Sequence, residues 1–356
     1  MSGRPTRTIL GRMTDMTTRL FKTGAIAGAA LWLSVLPGQA ETLRMGDSFP
    51  VGHYISENLA KFFMDDVKDR SGGEIDFEYF PAQQMGKAKD MLQLTQSGVL
   101  DIGYVAPSYI SDKLPLSAVA ELPEAFSSAC EGTKAFWKLV KPGGLLDEVE
   151  IAPNGMRVLM VLVLPPYQIF TKDRDITGLD SFKGLKLRTT GGAKEIATQR
   201  IEAVPVQIPA PEVRDSLSRG TLDALLFPVS SILPYDVQSY LHQATTNQNF
   251  GSFVIAYMIS KQKWDSLSPE TQQVLTESGE AATAHSCADT DALEDKDRQT
   301  ITEAGVEFVT LPDADSEKIK TLMAGVGDEW AEELEGRGKP GRAVLDGFRA
   351  NLKAGD

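Results

Sequence analysis

The order strand, helix, strand, helix, strand occurs twice in this chain, and the two copies share one joint almost letter for letter. Gly98-Val99-Leu100-Asp101 stands before the last strand of the first copy, and Gly220-Thr221-Leu222-Asp223 before the last strand of the second. In each, a glycine ends a helix and the chain runs straight into an apolar strand. The first copy has strand patterns over 43–48, 74–80 and 100–105. Its helical patterns lie over 54–69, with Leu59, Phe62, Phe63 and Val67 on one face, and over 85–96. The second has strands over 185–189, 204–208 and 222–227 and helices over 193–201 and 211–217. Pro205 confines the middle one of these strands to a sheet edge or a strand start. Such alternation builds a sheet covered by helices, so the pattern predicts two similar α/β lobes with a cleft between them.

What joins and follows the copies completes the plan. Residues 156–170 are apolar and extended in pattern, and 251–260 look like a second extended crossing. Two such crossings make a hinge, although long strands inside one sheet carry the same signature. Ser268 can cap a helix with Pro269 in its first turn and Glu270 beside the helix dipole. The polar, alanine-rich helical pattern then runs to about Thr302, long for a compact domain. A late strand over 306–311 and helices over 314–353, broken near 336–341, finish the chain. Residues 1–40 differ from the rest: Arg19 and Lys22 precede an apolar run over 25–36, and Pro37-Gly38-Gln39-Ala40 offers small residues for cleavage. This is the pattern of a secretory signal peptide whose apolar part is short for a membrane span. The expected division is signal peptide 1–40, lobe I 41–165, lobe II 166–250, and 251–356 as crossing strand, long lobe-spanning helix and C-terminal helices packed on both lobes. The expected location is outside the cytoplasm.

The formal charge is −13, and residues 1–40 hold five cations against the single acid Asp15, so the remainder is more acidic still. Such a surface repels nucleic acid and anionic membrane, and an anionic ligand would need local cations in a cleft. Only Cys130 and Cys287 are present; an oxidising compartment permits a bridge, but their spacing does not decide whether they pair. Enzyme signatures are missing: there is no G-x-S-x-G elbow, phosphate loop or H-E-x-x-H pair, and no metal or cofactor motif. His53, His242 and His285 are scattered singly, each more simply a surface or core residue than a ligand. A binding cleft remains. Arg188 closes the strand 185–189 just before Gly191-Gly192 and a helix start, the place where open α/β sheets hold anions. Its planar, permanent charge suits a carboxylate. Tyr104, Tyr167 and Phe227 stand at strand ends and would line the facing carboxyl edges of the two lobes.

Five stretches, in this order and spacing, carry a family likeness: Ser71-Gly72-Gly73-Glu74-Ile75, Pro81-Ala82-Gln83-Gln84-Met85-Gly86, Gly98-Val99-Leu100-Asp101, residues 182–188 and residues 264–273. Over nearly all of the chain beyond residue 40 the sequence resembles the extracytoplasmic solute-binding subunit of tripartite ATP-independent periplasmic (TRAP) transporters, of the C4-dicarboxylate-binding type. The resemblance implies a two-lobed periplasmic binding protein fold closing on a small organic acid, a long helix spanning both lobes, and delivery to TRAP membrane permease subunits. It places the family's carboxylate-clamping arginine on Arg188. Where some members carry a second arginine this chain has Gln168, and where asparagine is common it has Phe227. Fewer cations and more aromatic surface point away from a sugar acid and toward a monocarboxylate with an apolar or aromatic body. The alternatives are an exported enzyme acting on a small acid in the same cleft, or a ligand-binding partner of a sensor.

Overall fold

In the computed structural model, which describes residues 41–124 and 126–354, the repeated pattern becomes two sheets. The signal-peptide reading lies outside the described residues. The first half runs β1 (Glu41–Gly46), α1 (Phe62–Arg70), β2 (Ile75–Phe80), α2 (Met91–Gln96), β3 (Ile102–Val105), α3 (Ala129–Val140) and β4 (Met156–Val163). The second runs β5 (Gln168–Thr171), β6 (Lys186–Thr189), α4 (Ala193–Arg200), β7 (Val204–Gln207), α5 (Val213–Ser218), β8 (Ala224–Phe227) and β9 (Gln243–Thr245). Then come β10 (Val254–Ser260), α6 (Lys261–Ser266), α7 (Pro269–Glu303), β11 (Glu307–Val309), α8 (Asp313–Ala324), α9 (Val326–Gly336) and α10 (Gly341–Lys353).

The strand order is β2-β1-β3-β10-β4 in one sheet and β11-β9-β5-β8-β6-β7 in the other. Within them β2-β1-β3 and β7-β6-β8 are the same parallel unit, and each gains an antiparallel neighbour beside its third strand, β10 and β5 respectively. The shared joint explains itself at atomic level. The Asp101 carboxylate accepts the Arg44 N–H at 2.8 Å while the Asp101 N–H donates to the Arg44 carbonyl at 2.9 Å. Asp223 does the same with Lys186, at 2.9 and 3.0 Å. Each aspartate therefore pins the start of its third strand to the first. Gly98 and Gly220 adopt φ of +73° and +71°, where a side chain would be strained. Pro205 sits in edge strand β7, where its missing N–H leaves no ladder bond unmade.

The two extended stretches are mostly strand. β4 and β10 lie side by side in the first sheet, and the chain passes between the sheets at residues 164–167 and 246–253, and once more along α7 to β11. These short crossings run together: the Leu164 N–H donates to the Phe253 carbonyl at 2.9 Å and the Tyr167 N–H to the Gly251 carbonyl at 2.8 Å. The expected helix over 54–69 is helical along that whole span, and the one over 85–96 starts three residues later than its periodicity suggested. The first opens with a wide π turn over Ser56–Lys61, and the second becomes a 3-10 turn, Ala88–Asp90, leading into α2.

The 35 residues of α7 form the third tie between lobes. At 1.5 Å per residue they span roughly 50 Å. Ser268 caps the helix by accepting the Thr271 N–H, and Pro269 fills its first position. The buried face is small and polar (Ser278, Gly279, Ala282, Thr283, Ser286), which explains the alanine-rich, weakly amphipathic sequence. Gly279 is there because a Cβ would fall 2.1 Å from the Leu159 carbonyl oxygen of β4. Thr283 Oγ1 accepts the Val161 N–H at 3.1 Å. Cys130 of α3 and Cys287 of α7 form a disulfide, which resolves the pairing that spacing left open. Next to it, the Asp291 carboxylate caps α3 by accepting the Ala129 and Cys130 N–H groups.

The disulfide closes a sequence separation of 157 residues, so it restrains a long loop of the unfolded chain. Replacing both cysteines by alanine is expected to lower the unfolding free energy by about 2–4 kcal/mol. Urea unfolding checks this as a lower midpoint.

Candidate functional site

Arg188 is the largest fully buried side chain, with none of its surface exposed. β6 explains the position. Alternation puts Lys186 and Arg188 on the face opposite Leu187; Lys186 reaches solvent, but the carboxyl end of the strand faces the other lobe. The guanidinium is anchored by Nε donating to the Ile208 carbonyl at 2.8 Å and Nη1 to the Leu226 carbonyl at 3.2 Å. Its second terminal nitrogen, Nη2, is buried and has no acceptor. Among the described residues no carboxylate pairs with Arg188. A buried charge without a counter-ion is costly, so this arrangement calls for an anion from outside the chain.

The space beside Arg188 is a small, partly open cavity of about 20 Å³, room for about one water molecule. Tyr104, Tyr167 and Phe227 line it together with Arg188, and the guanidinium carbon lies 4.8 Å from the centre of the Phe227 ring. Four of the five expected residues therefore converge. Gln168 does not join them. Neighbouring residues of an extended chain point opposite ways, so with Tyr167 facing the cavity, Gln168 turns to the hinge. There its Nε2 donates to the Gln248 carbonyl at 2.6 Å and its Oε1 accepts the Thr245 hydroxyl at 2.9 Å.

The cavity has walls that sequence reading passed over: Phe49 and His53 from the turn after β1, Tyr109 after β3, and Tyr235 and Phe253. The signal was available, since the turn after β1 is also the carboxyl end of a strand. Asp47 holds that turn. Its carboxyl accepts the Tyr79 hydroxyl at 2.5 Å, the Tyr257 hydroxyl at 2.8 Å and the Phe49 N–H at 3.0 Å, and burial lifts its pKa to about 6. His53 is 1% exposed, and burial lowers its pKa from 6.5 to about 3, so the imidazole is neutral.

Contacts across the cleft show the lobes closed on each other. Tyr109 Oη accepts the Ala210 N–H at 2.9 Å, and the Tyr54 and Ser230 hydroxyls lie 3.0 Å apart. Burial raises the Tyr109 pKa, and the nearby Arg188 charge opposes that rise. The strongest tie is a buried ion pair between Lys194 at the start of α4 and Glu121 of the first lobe, each 1% exposed. Desolvation lowers the Lys194 pKa, the Glu121 carboxylate opposes that fall, and the nearby Arg188 charge adds to it. Because Lys194 is already compensated, Arg188 is, among the described residues that line the cavity, the uncompensated charge.

Unfolded His53 would take up a proton near pH 6.5 and folded His53 only near pH 3, so in that window the unfolded state binds more protons. Stability is therefore lost as pH falls through the window, by at most about 1.4 kcal/mol per pH unit for one proton. The unfolding free energy of wild type minus that of His53→Phe, from urea titrations at a series of pH values, should decline in this sense. A difference independent of pH would contradict a buried neutral imidazole.

Known proteins share this architecture. A solved structure of a TRAP solute-binding protein from Rhodoferax ferrireducens T118, in complex with copurified benzoate, superposes with a TM-score of 0.81 at 25% identity, covering 88% of this chain and 98% of that one. The 2,3-diketo-L-gulonate-binding periplasmic protein YiaO of Escherichia coli K12 is 26% identical over 310 residues, 84% of this chain and 88% of its own. The outer membrane transporter protein TsaT of Comamonas testosteroni is 24% identical over 324 residues, 89% and 93%. The family described as bacterial extracellular solute-binding protein, family 7, matches residues 45–333. With a family match over most of its length and a two-lobed fold shared with solved members, the chain belongs to the DctP family of TRAP solute-binding proteins.

Proposed function

We propose that this protein is the periplasmic receptor of a TRAP transporter, that it captures a monocarboxylate with an aromatic or apolar body between its lobes, and that it hands the acid to membrane permease subunits. The observation that carries this reading is the buried, uncompensated Arg188 guanidinium with one free N–H₂ edge in an aromatic cavity. A carboxylate supplies the missing charge and accepts from Nη2. The rings of Tyr104, Tyr167 and Phe227 suit a flat, apolar body. One unpaired cation, with Lys194 committed to Glu121, suits one carboxylate rather than two. The benzoate complex of the relative from Rhodoferax is in keeping with this ligand class. Export rests on the leader pattern of residues 1–40 and on the periplasmic relatives. No helix of the described residues is long and apolar enough to cross a membrane.

Binding and closure are coupled by the same charge. In an open molecule water solvates Arg188; closure removes that water, and a bound carboxylate replaces it in a medium of lower dielectric constant, where the attraction is stronger. Closure with ligand is thereby favoured over closure without it.

Thermal unfolding of the chain from Glu41 onward against a panel of organic acids tests the reading. A hundredfold excess over Kd is expected to add about 2.7 kcal/mol of stability. Arg188→Ala should remove about 1.5–3 kcal/mol of binding free energy, and Arg188→Lys part of it, because an ammonium cannot present the planar fork. Retained affinity in Arg188→Ala would sink the assignment, and recovery of an altered acid would mark an enzyme instead of a receptor.

A further inference from the structure

A second donor in the same cavity has no partner, and it comes from the other lobe. His53 Nδ1 accepts the Ile55 N–H at 3.2 Å, which places the imidazole hydrogen on Nε2. That Nε2 is buried without an acceptor, and His53 lines the cavity. The ring is held rigidly: it stacks on Tyr54 at 4.7 Å and meets Phe49 at 5.0 Å and Tyr235 at 5.2 Å. Tyr235 in turn meets Phe227 at 5.7 Å, and Phe227 lies against Arg188. Two unsatisfied donors, Nη2 of Arg188 from lobe II and Nε2 of His53 from lobe I, thus stand at the two ends of a row made by Phe227 and Tyr235.

Resting on the carboxylate reading above, we infer that the ligand carries a second, uncharged oxygen on its body, such as a hydroxyl or carbonyl, which accepts a hydrogen bond from His53 Nε2 while its carboxylate rests on Arg188. The oxygen is uncharged because the His53 end of the cavity is walled by Phe49, Ile55 and Tyr235 and, among the described residues, offers no cation. A second carboxylate there would be desolvated without compensation. An acid without the second oxygen leaves a buried donor unpaired, and sites built this way discriminate by omission. Because the two donors belong to different lobes, such a ligand bridges the cleft, and His53 acts as a specificity residue that reads the closed state.

Calorimetric titration of the protein from Glu41 onward with benzoate and with ortho-, meta- and para-hydroxybenzoate tests this. At least one hydroxylated acid should bind about tenfold or more tightly than benzoate. In His53→Phe the ratio of the two affinities should fall to near one. In wild-type protein the ¹⁵N imidazole spectrum gives a readout free of any folding defect in the variant. It should show Nε2 protonated, with a signal that moves on adding the preferred hydroxylated acid and not on adding benzoate. Equal affinity for all four acids, or a preference that survives in His53→Phe with the imidazole signal unmoved, would overturn the inference. If benzoate binding is lost in Arg188→Ala while no hydroxylated acid is preferred, the carboxylate reading stands and only the role of His53 falls. If no acid of the four binds wild-type protein, both fall together.

Discussion

A guanidinium removed from water without a counter-ion is the constraint around which this molecule is built. Two carbonyls, of Ile208 and Leu226, hold Arg188 at the end of β6 and satisfy two of its donors. They cannot neutralise it. The closed lobes bring aromatic rings rather than carboxylates against it, and the one buried carboxylate that bridges the lobes nearby, Glu121, is taken by Lys194. The chain thus keeps one charge compensated to tie the lobes together and leaves another uncompensated to select what enters. A site with both cations paired would close equally well empty, and a site with both free would resist closing at all.

The scaffold that makes closure possible is an exchange of strands. Each lobe consists of the same parallel three-stranded unit, and each completes its sheet with an antiparallel strand, β10 or β5, that reaches it directly from the other lobe. The two crossings are hydrogen-bonded to each other and are short, with Pro165 and Pro166 in one of them. Crossings this short leave few residues at which the angle between the lobes could change. Helix α7 limits the motion from outside. Its small-residue face sits directly on β4, and the disulfide and Asp291 fix it to α3. Such an arrangement suits a molecule whose states differ by the angle between lobes rather than by the packing within them.

Much of this was legible beforehand because it is local. Hydrophobic periodicity, helix-ending glycines and the Ser268-Pro269-Glu270 cap act over a few residues, so the alternating elements and the start of α7 follow from their own letters. The paired Gly-x-Leu-Asp joints were visible as letters, and their physical reason is the aspartate that bonds back to the first strand. Other features were out of reach. The strands over 156–163 and 254–260 read equally as crossings, because an apolar run does not say which sheet it joins. Gln168 and Tyr167 are neighbours in sequence, and only the register of β5 against β8 and β9 decides which of them faces the cleft.

By itself, then, the sequence determined that there would be two similar α/β lobes, a long capped helix, an acidic chain with an exportable leader pattern, and one arginine at a strand end suited to an anion. Each of these rests on interactions between residues close in the chain or on composition. Tertiary structure alone decided that Arg188 is buried without a counter-ion, that Lys194 has one, that Cys130 meets Cys287, and that His53 turns an unpartnered N–H into the same cavity. All four depend on residues more than fifty positions apart being brought together in the interior. Burial sets the energy of a charge or a donor there, and burial is a property of the whole fold.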